Sequence, residues 1–440
     1  MQPPKGMRDF YPEDMAIRRY IEQAWRRVAV RHGFEEIEGP TFEHLALYTR
    51  KSGEGIVSEL FRIQHRGDVE LALRPEFTPT LARMVAAKAA SLPQPIKWFA
   101  TPLHFRAERP QRGRLREHEQ WNVDFVGWPA GSDHERTTLA LADAEVIGCM
   151  IGLFEELGLT SEMIRLRISH RSVVTELLRT LRIPEETMPA AFALLDRREK
   201  ISRDDFVKQA GEIGLSGEQQ EHFTHFSGLK IRGEQPWEEL AGLLPVEEEK
   251  LAELHALRQA LKKTGLLKWC DFDFGIVRGL AYYTGVVFEA HEVKGRERAV
   301  AGGGRYDNLI ELFGGPSLPA CGFGMGDVVL SLVLQERGLL PAGASLLPEP
   351  DVFLVSAGSD DAEDRLITLL AELRRAGVHA RRSYRSTRNV GKLLKEAASS
   401  RARFALIIEA EGQVTLKNMA TGEQQKLADE KVAEALSGHT

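Results

Sequence analysis

Residues 117–128, "EHEQWNVDFVGW", decide how the first half of the chain is read. Residues alternate along the stretch, so Trp121, Val123 and Phe125 share one face of a strand and Gln120, Asn122 and Asp124 share the other. Polar alternation usually marks a solvated face. Two features here point to a lined binding surface instead. With the partner strand included, the polar set mixes amide, carboxylate and arginine rather than the Lys, Glu and Thr of a wet strand. The strand also adjoins a strongly cationic loop. The preceding segment, 96–108, reads as its hairpin partner, with His104, Arg106 and Glu108 on one face and Phe105 and Ala107 on the other. The loop, "FRAERPQRGRLRE", carries Arg106, Arg109, Arg112, Arg114 and Arg116, relieved mainly by Glu108 and Glu117. Planar guanidinium forks around a glycine turn suit phosphate.

Outward from this hairpin, residues 13–32 read as an amphipathic helix stopped by Gly33. Strands flank a Gly67-Asp68 turn, and a helix opens near Pro79. Strands joined by short turns predict an antiparallel sheet rather than βαβ winding. Residues 171–264 carry Leu, Glu, Lys and Arg at helical spacing and read as a helical insertion. Strand character returns at 272–300 and includes "IVRGLAYYTG" (276–285), where Arg278 interrupts an apolar run and Tyr282 and Tyr283 take opposite faces. "AGGGRYD" and "CGFGMGD" lack the dinucleotide-binding spacing, and their glycines point to close backbone approach. Domain limits follow: a core of 1–170 and 265–337, the insertion, a Pro- and Gly-containing linker at 338–350, and a compact α/β domain at 351–440.

The 440 residues, 43% hydrophobic and 28% charged, describe an ordinary globular chain. No run of 18 apolar residues and no signal-peptide core are present, so neither a membrane span nor export is expected. Cys149, Cys270 and Cys321 are too far apart in sequence for a zinc motif and suit a reducing cytosol. The net charge of −6 means that any nucleic-acid surface must be local. One candidate stands out. Ten Lys or Arg residues between Arg374 and Arg403 face a single acid, Glu396, and Arg381, Arg382, Arg385, Arg388 and Lys392 lead that block.

"KGMRDFYPED", "LRPEFTPTLAR", "FRAERPQRGRLREHEQWNVD", "VRGLAYYTG", "GGGRYDNL" and "TLKNMATGEQ" occur in the order found in histidyl-tRNA synthetases, which the chain resembles over nearly its whole length. The resemblance implies an α+β class II core with an antiparallel sheet flanked by helices, a helical insertion and a C-terminal α/β anticodon-binding domain. It implies a cytoplasmic homodimer, with Pro40 at the interface, acting on histidine, ATP with accompanying Mg2+, and tRNA-His, with no metal site of its own. By position, Glu76, Thr78 and Gln120 match the residues that hold the histidine α-amino group. Asp124 and Tyr283 match those at the imidazole, with Tyr282 beside them. Arg106 and Arg278 match the arginines at the α-phosphate, and Glu108 the reader of the adenine amino group. Arg109, Gln111, Arg112 and Arg114 match the loop that meets the tRNA acceptor end.

Two positions depart from the family pattern. Ala281 stands where an aspartate is common, and Val329 stands where an arginine stacks on adenine. The alternative reading is the non-catalytic paralogue, the regulatory subunit of ATP phosphoribosyltransferase, which shares the core but characteristically lacks the C-terminal domain. A module that only binds RNA would keep the basic block and lose the pocket residues, and those are in place.

Overall fold

The computed structural model describes residues 1–52, 54–63, 69–127, 135–238, 246–277, 283–295, 297–409 and 413–437. Arg278, Ala281, Tyr282 and the Gly67-Asp68 turn lie outside them. Two compact units divide between Gly343 and Ala344.

The first unit is organised by a ten-stranded sheet. Its order is Glu35–Glu36, Ile96–Ala100, Glu117–Val126, Ala320–Gly326, Ala301–Arg305, Val286–Glu292, Ile164–His170, Cys270–Asp273 and Lys230–Arg232, with Leu103–Phe105 attached to Glu117–Val126. Most pairs are antiparallel, as the short turns imply, and two are parallel. Glu35–Glu36 runs parallel to Ile96–Ala100, and Cys270–Asp273 runs parallel to Ile164–His170. A parallel return needs a long crossover, and the helices of 171–264 supply the second one.

The alternation of 117–126 holds. Trp121 and Val123 are fully buried. Trp121 stacks on Trp25 of helix Pro12–Arg31 with ring centroids 6.2 Å apart, and meets Phe323 edge-on at 5.1 Å. Such aromatic pairs add to the burial that fixes the strand's register. The apolar core runs without a break from this sheet into the insertion, joining Phe206, Phe223 and Leu254 to Ile168 and Phe272. Helix Glu135–Glu156 is apolar and long enough by composition to cross a membrane, yet 67% of its apolar window is buried in that core.

The partner strand differs from its sequence reading. Segment 96–108 breaks at Thr101-Pro102 into Ile96–Ala100 and Leu103–Phe105, and the strand stops at Phe105. His104 lies opposite His118, on the same face as Gln120, Asn122 and Asp124; it is fully buried and stacks on His118 with centroids 5.6 Å apart. Arg106 and Glu108 belong to the loop.

The second unit is a five-stranded sheet in the order Ala380–Arg382, Val352–Ser356, Phe404–Ile408, Gln413–Asn418, Gln424–Ala428. The first three strands are parallel and the last two antiparallel. Helix Asp360–Arg375 starts at Ser359, whose hydroxyl accepts the Ala362 N–H at 3.1 Å, and buries Leu366, Leu369, Leu370 and Leu373. Strand Gln424–Ala428 is exposed along most of its length and has no apolar period, so it leaves little trace in the sequence.

Candidate active site

Strand Glu117–Val126 pairs antiparallel with Ala320–Gly326, which sets Asp124 opposite Gly322 and Asn122 opposite Gly324. The polar face of the strand floors a cavity of about 680 Å³, lined also by Glu76, Thr78, Arg106, Tyr283 and Tyr306. Glycine makes the floor possible. A methyl group at Gly322 would collide with Asp124 Oδ1 and Tyr306 Oη, and one at Gly324 with the Gln120 amide. The glycines of "CGFGMGD" thus clear space for the side chains across the strand pair.

At this end of the cavity Asp124 is 2% exposed and accepts a short hydrogen bond from the Tyr306 hydroxyl. Tyr283 is buried beside it, and its ring packs against Gly304. Gln120 Nε2 donates to Asn122 Oδ1 at 2.8 Å, which orients its amide. Tyr306 was missed by sequence reasoning, although "GGGRYD" contains it. Its role there depends on a cross-strand partner that no local spacing reveals.

Arg106 lines the other end. Its backbone N–H donates to Arg116 O at 2.8 Å and its Nε to Pro75 O at 3.0 Å, next to Glu76 and the start of helix Thr78–Lys88. The five loop arginines divide their work, rather than forming one phosphate surface. Arg112 ion-pairs with Glu297 and, at 2.7 Å, with Glu336. Arg114 ion-pairs with Glu108, and Arg116 Nε donates to the Glu108 carbonyl at 3.0 Å. Carboxylates from distant parts of the chain thus neutralise charges that look free in the sequence. Burial, with Glu108 close by, raises the Glu59 carboxyl above its ordinary range. Arg109 and Gln111 are exposed, and Gln111 pairs with Arg114 to close the turn at Gly113. Glu108 is not in the cavity lining; it connects to it through Arg114.

Gly326 opens helix Asp327–Glu336. Asp327 is a structural residue: it holds Arg8 at 2.6 Å and accepts the Glu119 N–H at 3.0 Å. Val329, two residues on, lines the cavity. Among the described residues no group of three or more His, Cys, Asp or Glu side chains is set to hold a metal.

On the second unit, the basic block is also partly neutralised. Arg382 pairs with Glu363 and Arg388 with Asp360, at 2.6 and 2.7 Å. Arg381 and Lys392 are exposed, and Arg385 lies 3.7 Å from Glu396. Tyr384 stands among them, 81% exposed, with the Arg382 guanidinium 5.2 Å from its ring centroid.

The first unit is thus a large mixed sheet with flanking helices and a polar cavity, and the second unit carries a sheet of its own. Residues 6–327 match the family model described as histidyl-tRNA synthetase, and 351–439 match the anticodon binding domain. The chain is 37% identical to the chloroplastic/mitochondrial histidine–tRNA ligase of Arabidopsis thaliana, over 98% of this chain and 86% of that one. It is 38% identical to the histidine–tRNA ligase of Opitutus terrae, over 97% and 96% of the two chains. The crystal structure of histidyl-tRNA synthetase from Nostoc sp. superposes with a TM-score of 0.79 at 26% identity, covering 100% of this chain and 99% of that one. The chain belongs to the histidyl-tRNA synthetase family. The regulatory-subunit alternative gives way, because the anticodon-binding model covers the C-terminal unit and the curated relatives are ligases.

Proposed function

We propose that the cavity joins histidine to ATP with Asp124, Tyr306 and Tyr283 at the imidazole, Gln120, Glu76 and Thr78 at the α-amino group, and Arg106 at the α-phosphate. The observation that carries this is the buried Asp124–Tyr306 pair at one end of a cavity whose other end holds Arg106. A carboxylate fixed by a tyrosine hydroxyl accepts a ring N–H in a defined direction. A polar pocket of this kind rejects side chains lacking the matching group by about 10⁴–10⁵. A histidine carboxylate oxygen attacks the α-phosphorus, the bond to the bridging oxygen breaks, and pyrophosphate leaves with the electron pair. Arg106 stabilises the charge that grows there. A second cation at that phosphate, Arg278, rests on the sequence match alone. A hydroxyl of the 3′-terminal ribose of tRNA-His then attacks the histidyl carbonyl, the bond to the phosphate oxygen breaks, and AMP leaves.

Magnesium enters with the triphosphate, carried mostly by phosphate oxygens and water. Arg109 and Gln111, exposed at the turn, meet the acceptor end, while Arg112 and Arg114 hold the turn in shape. Arg381, Arg385, Lys392 and Tyr384 meet the anticodon region. The working form is a cytoplasmic homodimer with the exposed Pro40 and Phe42 at its interface. Charging of tRNA-His with labelled histidine by the purified chain tests the reading. Histidine attached to tRNA-His but not to a non-cognate tRNA supports it, and no charging by folded protein rejects it.

A further inference from the structure

One cation of the cavity takes no part in the network described above. Arg298 lines the cavity and is exposed within it. Its neighbours Arg112 and Arg114 are held by carboxylates, whereas Arg298 makes no ion pair or hydrogen bond with any described residue. It also stands near like charge. Partial burial of the guanidinium, then the Arg114 charge, lowers its affinity for the proton below the ordinary arginine value; Glu108 offsets part of this and Arg106 adds a little to it. Five guanidiniums line the cavity, and of these Arg114 is paired with Glu108 while Arg167 and Arg198 lie against Glu199 and Asp273, which leaves Arg298 without an ion pair among the described residues.

The position of Arg298 is more specific than that. A Cβ built at Gly113 would lie 3.3 Å from Val329 Cγ2, 3.8 Å from Glu297 Oε2 and 3.9 Å from Arg298 Cδ; Glu297 is taken up by Arg112, so Val329 and Arg298 are the side chains left to flank this point of the glycine turn. Val329 offers an apolar wall there and no charge, and the Glu108–Arg114 pair closes the turn beside it. An apolar wall, a planar cation and a carboxylate nearby are the chemistry that recognises an amino-bearing heteroaromatic ring.

We propose that Arg298 lies over the adenine of bound ATP, supplying from a loop the guanidinium that helix Asp327–Glu336 lacks at Val329. This rests on the reading of the cavity as an ATP site. Arg106 takes the phosphate end, and Arg298 takes the base.

The test uses the full chain in histidine-dependent ATP–pyrophosphate exchange, with Arg298→Ala and Arg298→Lys. Loss of a desolvated cation–ring contact raises the ATP KM by about 10- to 30-fold in Arg298→Ala. The KM values for histidine and for pyrophosphate stay within about twofold, because neither ligand carries the base. Arg298→Lys shows most of the same defect, since an ammonium lacks the plane. Both variants melt with the wild type, as expected for an exposed side chain without described partners. An unchanged ATP KM in Arg298→Ala overturns the proposal, as does full activity in Arg298→Lys or an equal rise for pyrophosphate, which would move the contact to the phosphates. A wild-type chain with no exchange at all removes the ATP reading and the proposal together, and so is told apart from failure of Arg298 alone.

Discussion

The Tyr306 hydroxyl donates to Asp124 Oδ1 across a strand pair in which Gly322 faces Asp124, so a tyrosine far along the chain sets the direction of a buried carboxylate. If that carboxylate accepts the imidazole N–H, Asp124→Ala removes a hydrogen bond to a charged group, worth about 1.5–3 kcal/mol, and histidine affinity falls by roughly 10- to over 100-fold. Tyr306→Phe keeps the carboxylate but frees its orientation, and its effect is smaller. Histidine titration by calorimetry measures both. Wild-type affinity in folded Asp124→Ala would remove Asp124 from the histidine pocket.

Gly324→Ala separates binding from stability. The added methyl meets the Gln120 amide first, then Asn122 Oδ1, both side-chain ends that can move. The histidine KM is expected to rise about tenfold, the equivalent of one hydrogen bond to a charged group, with little change in melting temperature. A large drop in melting temperature with an unchanged KM would mean that the glycine serves the sheet rather than the Gln120 side chain.

Acid sensitivity follows from the stacked histidines. Burial, together with Arg106, pulls His118 down to about 3, and burial with His118 holds His104 well below its ordinary value. Both stay neutral in the folded chain while the unfolded chain takes up protons below about pH 6.5. The folded pKa is depressed, so this stability is complete above the unfolded value and is lost as the pH falls. The slope is about 1.4 kcal/mol per pH unit for each histidine. Melting curves between pH 7.5 and 5 should be flatter for His104→Phe than for the wild type; equal slopes would contradict the assignment.

Tyr384→Ala should reduce tRNA charging and leave histidine activation intact. Stacking of a base on an aromatic ring is worth about 1–3 kcal/mol, so kcat/KM for tRNA falls roughly 5- to over 100-fold. The comparison is between charging and exchange in one preparation. Parallel losses in both would show that the tyrosine supports folding instead.

Where the chain's period is short and regular, the sequence was sufficient: the Gln120, Asn122 and Asp124 face is set by alternation alone, and the leucine stripe of Asp360–Arg375 by the helical period. What depended on distant partners was not legible. The loop arginines read as five phosphate ligands because Glu297 and Glu336, which neutralise Arg112, are nearly two hundred residues or more away. His104 keeps the polar face read for it, opposite His118, but nothing local showed that it would be fully buried there. The two parallel pairings of the sheet escaped for the same reason, since register across a helical crossover leaves no mark on either strand. Tyr306 needed the fold to bring it to Asp124.

Histidine-dependent ATP–pyrophosphate exchange by the purified full-length chain tests the central claim most directly, because it reads the joining of histidine to ATP without requiring tRNA. The account predicts exchange that starts only when histidine is added, saturates with it, and falls sharply in Asp124→Ala and in Arg106→Ala. Folded protein that binds histidine yet exchanges no pyrophosphate would contradict it, and would leave the cavity a histidine sensor rather than a site of activation.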